Sequence, residues 1–144
     1  MLTTLLFVTP SGPESAWVQD LPSFIAPLSK KAFAEGVTGS LLLTEFHIAG
    51  LFEGEPERLA VLTEIIAAFP GHEQLQIVWA KPLANRRFAK LHLGYVGRST
   101  FVARHIEVFF EYNTEVLRDD HAERLVRLME EFDRHDLGRE AVGA

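Results

Sequence analysis

The sequence predicts an α+β fold: a ferredoxin-like βαββαββ sheet with two helices on one face and a C-terminal helical extension. Three observations predict it. Short apolar or alternating runs suited to strands recur at 2–8, 40–44, 46–52, 75–79 and 88–93. Apolar residues at helical spacing fill 20–34 and 56–69, and breaks rich in Gly and Pro separate the segments.

The first run ends at Thr9-Pro10-Ser11-Gly12-Pro13, so a buried strand followed by a loop is expected. Leu21, Phe24, Ile25, Leu28 and Ala32 then recur three or four apart, as one helical face meeting a core requires. Pro22 suits a first turn. Pro27 lacks the backbone donor that an inner turn uses, which predicts a kink or a delayed start, and Gly36 supplies the stop. Runs 40–44 and 46–52 form a hairpin about Glu45, with Phe46, Ile48 and Phe52 on one side. Gly54-Glu55-Pro56 opens a second helix, carried by Leu59, Leu62, Ile65, Ile66 and Phe69 and stopped at Pro70-Gly71. Leu75, Ile77 and Trp79 alternate before Lys81-Pro82, and 88–93 alternates again after Arg86-Arg87, giving two more strands. Residues 101–112 read equally as helix or strand. Thr114 can cap a final helix whose stripe of Leu117, Leu125, Leu128, Met129 and Phe132 must bury against the open sheet face or a second copy. The organisation expected is a domain at 1–97 and an extension at 98–144 with one amphipathic helix, ending in a frayed tail at 137–144.

Composition narrows the function. The 144 residues carry 14 basic and 20 acidic side chains, a formal charge of −6, which opposes the counterion release that drives most nucleic-acid binding. There is no cysteine, so disulfides, thiolate metal sites and cysteine nucleophiles are excluded. No apolar run approaches the roughly 20 residues a membrane-spanning helix needs, and the first eight residues lack the basic start of a signal peptide. A cytoplasmic protein without membrane or nucleic-acid partners is expected. An enzyme is not, because no GxSxG, phosphate loop, HExxH or acid dyad is present.

Gly36-Val37-Thr38-Gly39-Ser40-Leu41-Leu42-Leu43, Phe52-Glu53-Gly54 and Asn85-Arg86-Arg87-Phe88, in this order and spacing, resemble the BLUF family of flavin-binding blue-light sensors. Phe7-Val8-Thr9, Ser29-Lys30-Lys31 and Gly71-His72 support the resemblance, which runs from about residue 2 to 94. It implies the same ferredoxin-like arrangement with added C-terminal helices. It also implies a flavin held between the two sheet-packed helices by a strand-one tyrosine, a third-strand glutamine and a first-helix asparagine. Those positions are here Phe7, Gly50 and Ala32. Phe has no hydroxyl to donate, Gly no amide to rotate and Ala no polar group at all, so the family's photocycle has none of its three side chains. The family's basic residue before His72 is Gly71, and its late-strand tryptophan and methionine are Leu91 and Leu93. Each flavin polar group left unmet costs roughly 1–3 kcal/mol.

Other residues keep a flavin in view. Lys31, Arg86, Arg87 and His92 are able to meet ring or phosphate oxygens, and Arg86-Arg87 balances a forked phosphate grip against a solvated strand entry. His92 sits among family signalling positions, although a lone histidine is more often structural. Glu53 reads as a turn or helix-start residue at least as well as a buried carboxylate. The cleft residues are therefore Phe7, Ala32, Gly50, Arg86, Arg87 and His92, with no catalytic or metal site. The function expected is a BLUF-like regulatory or protein-interaction module that has lost flavin photochemistry and needs no cofactor. It acts as a homodimer or with a protein partner, and its cleft repacks or admits an apolar small molecule. The alternative is an FAD-binding blue-light photoreceptor with an altered photocycle.

Overall fold

Strand β1 (Thr3–Pro10) alternates its side chains between two cores: Leu6 and Val8 enter one, Phe7 and partly buried Leu5 the other. The computed structural model describes residues 1–11, 20–69, 72, 74–111 and 115–134, with side chains at 115–117 left aside. The loop at 12–13, Pro70-Gly71, the Thr114 cap, the Leu117 side chain and the 137–144 tail lie outside these residues.

Helix α1 (Leu21–Glu35) starts at Asp20, whose carboxylate accepts from the Ser23 backbone N–H and hydroxyl. These bonds hold the Asp20 carboxyl below its ordinary range, the Ser23 hydroxyl first. The helix runs through Pro27 as one segment, so its start is not delayed. It ends at Gly36, whose φ of 67° is the left-handed conformation that Gly adopts without steric cost. Strand β2 (Thr38–Thr44) follows. At Gly39, φ is 151° and a Cβ would lie 1.8 Å from the Leu51 carbonyl oxygen, so only Gly fits that crossing. Strand β3 (His47–Gly54) closes the hairpin, although Phe46 is 54% exposed and does not join Ile48 and Phe52 in the core.

Helix α2 (Pro56–Ala67) has proline in its first turn and buries Leu59, Leu62 and Ile66. Strands β4 (Gln76–Pro82) and β5 (Leu91–Gly97) complete a five-stranded sheet ordered β4-β1-β3-β2-β5, in which β2 and β5 pair in parallel and the other neighbours antiparallel. The last strand begins at Leu91 rather than at 88. The extension carries two helices where the sequence pattern predicted one: α3 (Thr100–Glu111) and α4 (Glu115–Arg134). The ambiguous segment is thus helical, started by Ser99, whose hydroxyl accepts from the Val102 N–H at 3.2 Å.

Two cores result. Helices α1 and α2 bury Phe24, Ile25, Leu28, Leu59, Leu62 and Ile66 against Phe7, Leu41, Leu43, Phe52 and Leu93. On the opposite face, α3 and α4 bury Ile106, Phe109, Leu125 and Met129 against Leu6, Val8, Leu42, Ala49 and Leu51. The apolar stripe of the extension therefore covers this chain's own sheet. No helix among the described residues is long and apolar enough to cross a membrane.

Candidate functional site

On the α1/α2 face the strand alternation gathers positions 7, 50 and 93 beneath Ala32. Phe7 and Ala32 are fully buried. Phe7 pairs with Gly50 across β1 and β3, and a Cβ at residue 50 would lie 2.3 Å from Cε1 and Cζ of the Phe7 ring. The ring thus occupies the space where a residue-50 side chain would start, and its centroid lies 5.2 Å from that of Phe52. Nearby, His72 is fully buried between Phe24 and Phe69, and its Nδ1 donates to the Ile66 carbonyl at 3.1 Å.

A cavity of about 500 Å³ opens where the C-terminal half of α1 meets the segment 86–91. Ser29, Ala32 and Phe33 form its helical wall, Leu91 its strand wall, and Arg86 and Lys90 supply two cations. Phe33 is 91% exposed. Lys31 points elsewhere: its Nζ lies 3.3 Å from Glu35, which also binds Arg58 of α2. Hydrogen bonds from Arg58 and then Lys31 hold the Glu35 carboxyl below its ordinary range.

The arginine pair divides between the two faces. Arg86 donates to the Thr38 hydroxyl and the Glu53 carbonyl at 2.8 Å and to the Gly36 carbonyl at 2.9 Å, which ties 86–88 to the end of α1. Arg87 lines a separate groove beneath α4. Between them Glu53, fully buried, accepts from the backbone N–H of Arg87 at 2.8 Å and of Phe88 at 3.1 Å, and from the Thr38 hydroxyl at 3.0 Å. The Arg87 guanidinium adds a 3.9 Å ion pair. Glu53 is therefore a buried carboxylate whose charge is met by surrounding donors, not merely a helix-start residue. It also explains why 86–90 is not a strand, since these backbone donors are spent on a side chain.

His92 is set apart from the cleft. Neighbouring Leu91 and Leu93 pack into the α1/α2 core, so His92 points to the other face, where its Nδ1 lies 3.9 Å from Asp133 of α4. The structure brings Phe7, Gly50, Ala32 and Arg86 to one side and places Arg87 and His92 on the other. Ser29 and Lys90 were not singled out from the sequence. Ser29 lay within a recognised motif, and nothing in the pattern marked Lys90.

These residues fit a flavin in part. Apolar walls suit the faces of a planar ring, and Arg86 and Lys90 suit an anionic tail. Phe7, Gly50 and Ala32 offer no side-chain hydrogen bond to a polar ring edge, which leaves backbone groups and the cavity rim to meet it.

The family model described as sensors of blue-light using FAD matches residues 2–94. No curated protein sequence matches. Among solved structures, the dark state of BlrB, a BLUF protein, is 20% identical, with a TM-score of 0.71, 90% of this chain covered and 96% of that one. BlsA in its photo-activated state is 18% identical with a TM-score of 0.68, covering 90% and 95%. BlrP1 of Klebsiella pneumoniae, with FMN and cyclic diGMP, is 26% identical with a TM-score of 0.59, and 94% of this chain matches only 35% of that longer one. The match overturns the expectation of a cleft that needs no cofactor, because the family it identifies uses FAD. It also favours a blue-light sensor module over a module that has left light sensing behind. Well over half of the sequence matches the family model and the architecture over 90% of the chain follows solved BLUF structures: this chain belongs to the BLUF family of blue-light sensors using FAD.

Proposed function

We propose that this chain is an FAD-binding blue-light sensor module with an altered photocycle, acting in the cytoplasm on a protein partner or a second copy of itself. Residues 1–97 form the sensing unit, and the extension 98–144 is its output element. The observation that carries the reading is the cavity beside Ala32, which joins apolar walls to the cations Arg86 and Lys90 on the same side of the sheet as Phe7. FAD, when bound, supplies the absorption of blue light. The chain's residues would hold and shield it: Ala32, Phe33 and Leu91 offer packing surface, and Lys90 a cation that would attract the phosphates. Phe7 has no proton to give and Gly50 no amide to turn, so the response runs without either step. The module senses and catalyses no reaction of its own.

Absorbance of the purified full chain tests this directly. A flavin spectrum that changes reversibly under blue light is the expected result. Lys90→Glu should weaken FAD uptake by about tenfold or more, the worth of one charge-assisted contact. A colourless protein that takes up no added FAD would overturn the reading.

A further inference from the structure

We propose that a second site, on the opposite face of the sheet, binds a small ring-bearing phosphate ester. The groove lies between the β1–β4 edge and α4, has a volume of about 350 Å³, and is separated by the sheet from the α1/α2 core. That volume is at the lower end of what small-molecule sites use, enough for one ring system and one phosphate.

Three observations converge on it. The first is Thr4, which lines the groove, is 2% exposed, and has an Oγ1 without a hydrogen-bond partner among the described residues. A buried hydroxyl left in this state costs stability, and an acceptor oxygen in the groove would satisfy it. The second is charge. Lys81, Arg87 and Arg127 line the groove with Glu123 and Glu130; Arg87 also stands 3.9 Å from the buried Glu53, so Lys81 and Arg127 are the cations that face a ligand first, with Arg87 behind them. Glu123 and Glu130 stand four before and three after Arg127 on α4, the spacing of neighbours on one helix face, and all three line the groove, where the carboxylates offer oxygens to the donor groups of a ligand. The third is Trp79, half-buried in the wall, with Lys81 Nζ 4.9 Å from its ring centroid. An indole beside cations suits a ring attached to a phosphate, whose charge and planar acceptors Arg87 and Arg127 match better than they match a neutral molecule.

The test uses adenosine 5′-monophosphate, adenosine and inorganic phosphate as probes on the full chain. Trp79 fluorescence is read in a Trp17→Phe background, which leaves one tryptophan, and flavin content is followed by visible absorbance in the same samples. Saturable change with the monophosphate below about 1 mM is expected, with both fragments at least about tenfold weaker. Thr4→Val should weaken binding about three- to tenfold, the worth of one hydrogen bond, and Arg127→Gln more, while flavin content stays unchanged. No saturable response to the monophosphate would overturn the proposal, as would equal affinity for phosphate alone, which removes the ring from it. Should Thr4→Val fail to fold, Arg127→Gln on the exposed side of α4 decides: unchanged affinity there also overturns it.

Discussion

Beneath α1 and α2 the sheet presents Phe7, Gly50 and Leu93, apolar and closely packed; beneath α3 and α4 the same strands bury Thr4, Ser40, Glu53 and His92. Each strand contributes to both sets, because successive side chains point to opposite faces. The difference teaches where polar chemistry has gone in this chain. On the first face the Phe7 ring fills the space where a residue-50 side chain would begin. On the second face a buried carboxylate is surrounded by donors, while the Thr4 and Ser40 hydroxyls have no hydrogen-bond partner among the described residues. Burying a hydroxyl unmet is unfavourable by roughly 1–3 kcal/mol, so that face carries a cost the first does not.

The packed face should give the largest effect when broken. Phe7→Ala removes a ring that is fully buried against Phe52 and over Gly50, and we expect a loss of about 3–5 kcal/mol in chemical denaturation. Because the ring stands where a residue-50 side chain would begin, Gly50→Leu is expected to destabilise the natural chain and to recover part of the loss in the Phe7→Ala background. The coupling should reach about 1 kcal/mol or more, and additive losses would show that the two positions do not share that space.

The polar face should yield the next effect at Glu53. Glu53→Ala leaves two backbone N–H groups and the Thr38 hydroxyl without their acceptor, at a cost of about 3 kcal/mol, whereas Glu53→Gln keeps one oxygen and should cost less. Amide exchange at Arg87 and Phe88 checks the cause. It should accelerate in both variants beyond what global stability explains.

Much of the architecture was legible because helical spacing and two-residue alternation report burial directly, and Gly36 and Gly39 stand where backbone geometry demands them. The start of β5 was not. Phe88 is buried like a strand residue, yet its N–H goes to Glu53, a partner 35 positions away that no local pattern reveals. The segment 101–112 was ambiguous because Phe101, Val102, Ile106, Val108, Phe109 and Phe110 suit strands as well as helices; Ser99, just before it, was the available helix signal. His92 is a different kind of miss. Its neighbours Leu91 and Leu93 face the cleft, so alternation alone already directs His92 to the other side. That Phe7 and Ala32 share one core is what helical spacing and strand alternation lead one to expect, but the steric tie between Phe7 and Gly50 needed the register of β1 on β3.

The smallest effect sharpens the comparison at the rim of the polar face. His47 on β3 is half-buried, its ring 5.2 Å from that of Phe110 on α3, and its Nδ1 is buried without a hydrogen-bond partner among the described residues. Burial pushes its pKa below the ordinary 6.5, and Glu107 opposes the shift without cancelling it. Between the folded value and 6.5 the unfolded chain binds more protons than the folded one, so stability rises with pH across that window. The contribution of neutral His47 is fully present above about 6.5 and is lost as pH falls through the folded pKa. The lowered carboxyls of Asp20, Glu35 and Glu111 act in the same direction but below their ordinary values of 3.8 and 4.5, which separates the two ranges. The unfolding midpoint should therefore drop between pH 7 and pH 5, and His47→Gln should flatten that drop. Parallel curves for the two proteins would show that protonating His47 leaves the α3 contact unchanged, and the polar face would then owe its pH response to other groups.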